Sequence, residues 1–111
     1  MRKIAANYIY LPGYPLVKNG YVVLDGDEVK EVVDTGGTIR EIQGLEFYGG
    51  MLVAGCCAGM SAGEKKGEKL LPCLDRMYAG MKRGGRGIAL IRKADLSVLV
   101  FKTETVIERL V

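Results

Sequence analysis

The chain has 111 residues, 49% of them apolar and 26% charged, with 16 glycines, three cysteines and no histidine. That length suits one domain with a modest core, and the apolar share argues against disorder. The net charge of +3 is spread over scattered basic residues, which argues against nucleic-acid binding, where a concentrated basic face is needed.

The first stretch, residues 2–55, reads as β. Ile4, Ala6, Tyr8 and Tyr10 alternate with Ala5, Asn7 and Ile9 at a period of two. This basic-ended start lacks the unbroken apolar run of a signal peptide, so it is a first strand and the expected location is the cytoplasm. No apolar run reaches the roughly 18–20 residues of a membrane span. Pro12-Gly13-Tyr14-Pro15 is a turn. Tyr21–Leu24 and Glu28–Val33 are rich in β-branched and aromatic residues, and Asp25-Gly26-Asp27 joins them as a hairpin in which Gly26 takes positive φ. Ile39, Ile42, Leu45, Phe47 and Met51-Leu52-Val53 supply further strand material, punctuated by Gly44 and Gly49-Gly50.

The second stretch joins the first to the last over residues 56–85. Ala58–Gly67 is small, polar and charged and reads as a loop. Leu70, Leu71, Leu74, Met77, Tyr78 and Met81 then fall on one helical stripe. Pro72 requires the first turn, so the spacing predicts a helix over 71–82, ended by Gly84-Gly85. Gly80 weakens its last turn. The third stretch, 86–111, returns to β, with strands at Ile88–Ile91, Leu96–Phe101 and Val106–Val111. The nearly all-apolar Leu96–Phe101 fits a strand covered on both faces.

Three segments in this order resemble the amidohydrolase (metal-dependent hydrolase) superfamily. Val17–Val29 is similar to that family's opening hairpin with its aspartate-glycine turn. Leu45–Gly55 is similar to the strand that leads into the catalytic barrel, with Ala54 in place of the usual proline. Arg92-Lys93-Ala94-Asp95-Leu96 and the apolar run after it look like the strand by which the chain returns from the barrel. The resemblance implies a mainly β fold: the family's small composite β-sandwich, with one helix, built here from residues 2–55 and 86–111. A (β/α)8 barrel needs roughly 200 residues, and only the loop and helix of 56–85 stand in its place. The family's two metal-binding histidines would fall on Met60 and Ala62. Methionine is a soft, weak ligand and alanine is none, so no family catalytic or metal residue is carried over, and neither a cofactor nor a metal is expected.

The remaining reactive residues have plain readings. Cys56, Cys57 and Cys73 are an odd set of thiols without a histidine; they are expected to be buried small hydrophobes. A tetrahedral metal site is incomplete with three thiolates, and a nucleophilic cysteine lacks a histidine base, although a lysine is able to lower a thiol pKa. Lys82-Arg83-Gly84-Gly85-Arg86-Gly87 leaves a helix C-terminus instead of opening one, so Lys82 and Arg83 are expected to cap the last carbonyls rather than hold a phosphate. Ala58–Gly67 is either a solvated linker or, with the helix, the cover for the surface that a barrel would meet. Tyr8, Tyr10, Tyr14, Tyr21, Tyr48 and Tyr78 read mostly as packing residues, several of them able to line a partner face.

The expected role is non-catalytic: self-association, as a two-fold homodimer, or docking to another protein. The candidate interface is the helix, through Leu70, Leu74, Met77, Tyr78 and Met81. Two alternatives stand beside it. One is an accessory subunit of a metal-dependent hydrolase acting on C–N bonds, whose barrel another chain supplies. The other is a small-molecule binder with a cleft of about 300 Å3 or more between sheet and helix.

Overall fold

The computed structural model describes residues 1–36, 44–83 and 85–111. Ile39, Ile42 and Gly84 therefore lie outside the described residues. Among the described residues, seven strands and one helix follow in chain order: β1 (Arg2–Ile9), β2 (Val17–Lys18), β3 (Tyr21–Asp25), β4 (Glu28–Val33), β5 (Leu45–Ala54), α1 (Leu70–Tyr78), β6 (Ile88–Arg92) and β7 (Val106–Arg109). Short 3-10 turns at Gly55–Cys57 and Ala62–Lys65 precede the helix. The fold is mainly β.

The strands form one sheet in the order β4-β3-β1-β5-β6-β7, with β2 paired to β1. β1 and β5 run parallel, and every other pair is antiparallel. Gly26, at φ 61, makes the β3–β4 turn that the Asp-Gly-Asp sequence predicts. The sheet curls until the start of β4 meets the segment before β6. Val29 N–H donates to Gly85 O (3.2 Å), and Gly87 N–H donates to Asp27 O (2.6 Å). The layered character of the domain thus arises from one sheet wrapping around itself.

Alternation along each strand divides two cores. Inside the curl lie Ile4, Ile9, Val22, Leu24, Leu52, Ile88 and Leu90, all fully buried. On the outer face Met51, Val53, Ala89 and Ile91 meet Cys57, Ala62, Leu70, Cys73, Leu74 and Phe101. The helix and the turns before it therefore cover one end of the outer face, and the linker is part of that cover: Ala62 is buried and Met60 half-buried against the same cluster.

Two expected elements differ. The helix spans Leu70–Tyr78 and not 71–82, because Gly80 at φ 80 ends it a turn early. Pro72 does sit in the first turn. Lys82 and Arg83 consequently lie beyond the helix and cap nothing; the Arg83 guanidinium instead stacks over the Tyr14 ring at 4.4 Å. Leu96–Phe101 is not a strand. The Asp95 carboxylate accepts from Ser97 N–H (3.0 Å) and Oγ–H (2.5 Å), and Asp95 and Val100 exchange backbone bonds across a tight turn. This turn serves the helix: Leu70 N–H, one of the donors that a helix start leaves unpaired, donates to Leu99 O at 2.8 Å. The apolar run is spent on the outer core, where Phe101 is buried and Leu96 and Leu99 pack at the margin.

Candidate functional site

The helix residues expected to form an interface are mostly turned inward. Leu70 and Leu74 are fully buried against the sheet, so no partner reaches them while the fold is intact. Met77 and Tyr78 are half-buried at the edge of the same cluster. Tyr78 ties the helix down: its hydroxyl donates to Tyr10 O at 2.6 Å and accepts from Ala54 N–H at 3.0 Å. Burial raises the Tyr78 pKa well above the ordinary tyrosine value. Beside it the Tyr10 hydroxyl donates to Asp75, a bond that also raises the Tyr10 pKa. Met81 alone of the set is clearly exposed. The helix is thus a lid on the sheet, with Leu70 and Leu74 turned into the outer core.

A face that no other described residue covers lies at the other end of the same outer surface. Strand register puts Glu31, Val23, Lys3 and Leu45 in one row across β4, β3, β1 and β5. Val33, Tyr21, Ala5 and Phe47 form the next row. Phe47 is 56% exposed, a high value for a phenylalanine in a strand. Tyr21, Val23, Val33 and Leu45 are half-buried, and none of these five belongs to either core cluster. Adjoining strands lie about 4.8 Å apart, so each row spans about 14 Å. The result is an apolar strip crossed by one positive and one negative side chain.

This face is not visible in the sequence because it depends on the parallel pairing of β1 with β5. A signal was present all the same. Tyr21-Val22-Val23-Leu24 is apolar at both phases of its alternation, which marks a strand whose second face also leaves water.

Chemistry beyond binding has few candidates. Among the described residues no group of three or more His, Cys, Asp or Glu is placed to hold a metal ion. Cys57 and Cys73 are buried as expected, whereas Cys56 is exposed. Burial pushes the Cys57 thiol up to about 12, the opposite of an activated nucleophile. A groove of about 350 Å3 runs between Lys69, Leu71, Pro72, Val98 and Leu99. It has the volume asked of a small-molecule cleft, but Lys69 is its only polar side chain, short of the convergent set that fixes a ligand. A second groove, of about 240 Å3, takes in Lys82, Arg83 and Arg86. Arg86 there is engaged with Asp27 at 2.7 Å and Glu28 at 3.8 Å. No described helix is long and apolar enough to cross a membrane. Comparison with protein-family models, curated proteins and solved structures finds no match.

Proposed function

We propose that the chain is a non-catalytic, amidohydrolase-like module that works by self-association, forming a two-fold homodimer through the outer face of β4-β3-β1-β5. The observation that carries this reading is the grid of Lys3, Ala5, Tyr21, Val23, Glu31, Val33, Leu45 and Phe47. Tyr21, Val23 and Val33, half-buried on this face, gain by leaving water, whereas Ala5 between them is already buried. Its charges are self-complementary: a two-fold axis along β3 stacks Val23 and Tyr21 on their own copies and sets Lys3 against Glu31 of the partner subunit.

The amidohydrolase-like part of the reading rests on two of the resembling segments, Val17–Val29 and Leu45–Gly55, and on the strand layout; the third, after Arg92, turns instead of forming a strand. An opening hairpin (β3–β4) flanks β1, β5 lies parallel beside it, and the C-terminal strands return along β5. Where the family's barrel would begin, β5 runs into a 3-10 turn and a helix that close the outer core. With no histidine in the chain, the module has nothing equivalent to the family's ligand set.

A charge-swap series tests the interface. Lys3→Glu and Glu31→Lys each weaken the dimer, and the double variant restores it. If the single variants leave the dimer intact, the two charges do not face each other. If the parent is monomeric alone but binds a histidine-bearing barrel protein, the accessory-subunit reading replaces self-association.

A further inference from the structure

We propose that Cys56, Cys57, Met77 and Met81 form a binding site for one soft monovalent metal ion, Cu(I). The four residues come from the turn after β5 and from the end of α1 and the segment beyond it. Their sulfurs meet in two pairs: Cys56 Sγ lies 3.9 Å from Met81 Sδ, and Cys57 Sγ lies 4.0 Å from Met77 Sδ. An ion held about 2.3 Å from two sulfurs at a trigonal angle leaves them about 4 Å apart. Within each pair the spacing is therefore already that of two ligands on one ion, and the adjacency of Cys56 and Cys57 in the turn links the two pairs.

The donor set selects the metal. Thiols and thioethers without imidazole or carboxylate favour Cu(I) over Zn(II) and over the hard cations. The same selectivity explains how a site can exist here although no three-residue group of His, Cys, Asp or Glu does. Access and protection are both provided. Cys56 and Met81 are exposed and form the mouth, while Cys57 is buried and Met77 half-buried behind them, limiting the water that would promote oxidation. Cys56 and Cys57 are neighbours in the 3-10 turn Gly55–Cys57, and Met81 is held near the helix end by its N–H bond to Tyr78 O at 2.9 Å. Binding replaces the thiol protons, each released to solvent as its sulfur takes the ion, so affinity rises with pH. The site lies beyond the opposite end of β5 from Leu45 and Phe47 and does not depend on self-association.

The test is an anaerobic titration of the full chain with Cu(I) against a chromophoric Cu(I) chelator. The expected result is one equivalent bound, with tighter binding at higher pH and no displacement by excess Zn(II). Met81→Leu, an exposed position where folding is unaffected, weakens binding about tenfold or more. Cys56→Ser weakens it further, and Cys73→Ser leaves it unchanged. Two results would overturn the site: a parent that competes no better than Cys56→Ser, or Met77→Leu and Met81→Leu variants that both bind as tightly as the parent. Either one reduces the copper to incidental capture by free thiols.

Discussion

The hydroxyl of Tyr78 reaches across from the helix to the carbonyl oxygen of Tyr10 at 2.6 Å, with the two rings 5.8 Å apart. It also accepts the Ala54 N–H at 3.0 Å, so one side chain joins the helix to β5 and to the residue that follows β1. Removing it in Tyr78→Phe leaves a carbonyl and a buried N–H unpaired and costs about 1–3 kcal/mol. Tyr10→Phe, which loses only the bond to exposed Asp75, costs about 0.5–1.5 kcal/mol. Urea unfolding of the two variants separates these values.

Leu74 distinguishes a lid from an interface. Because it is fully buried in the outer core, Leu74→Ala destabilises the fold by about 2–5 kcal/mol. Leu74→Lys unfolds the chain instead of releasing folded monomers, since it places an unpaired charge in that core. Circular dichroism with thermal melting checks both outcomes.

Gly50 lies against the backbone of Ile91 in β6. Its φ is 137, and a Cβ there would stand 2.2 Å from Ile91 O. Gly50→Ala therefore incurs about 1–3 kcal/mol from the backbone region alone, with the clash added. The Asn7 side chain, which accepts from Gly50 N–H at 2.8 Å, loses that bond as the strand shifts. A melting temperature close to the parent's would contradict this placement.

Alkaline pH weakens the helix–sheet contact. Burial raises the Cys57 thiol from 9.0 in the unfolded reference to about 12 in the fold. A raised acid keeps its proton longer when folded, so its contribution is complete below pH 9.0 and is lost as pH climbs towards about 12. Tyr78, raised by the same burial, acts in the same direction at higher pH. The melting temperature measured under reducing conditions falls across this range, and Cys57→Ala makes the fall shallower.

Local signals in the sequence carried much of the fold. The Asp25-Gly26-Asp27 hairpin follows from the freedom of Gly26 at positive φ, and α1 from the stripe that Leu70, Leu74 and Met77 make. The helix end is not fixed locally, because Gly80 reads either as a weak interior residue or as a terminator, and only the backbone decides. Leu96–Phe101 has strand composition, but the Asp95–Ser97 hydrogen bonds turn it, and a tertiary demand, the unpaired Leu70 N–H, holds it there. The candidate faces depended on such long-range choices. Helical periodicity places Leu70 and Leu74 on one side without saying what that side meets. The Lys3–Glu31 row exists only once β1, β3 and β4 are in register.

The most direct measurement is the mass of the full chain in solution by analytical ultracentrifugation over a concentration series, for the parent and for Val23→Lys. Val23 is half-buried on the outer face of β4-β3-β1-β5 and outside both cores, so the variant keeps the fold while setting two like charges against each other at the two-fold axis. The account predicts a concentration-dependent dimer for the parent and a folded monomer for Val23→Lys. A parent that stays monomeric throughout, or a dimer that Val23→Lys leaves intact, would contradict it.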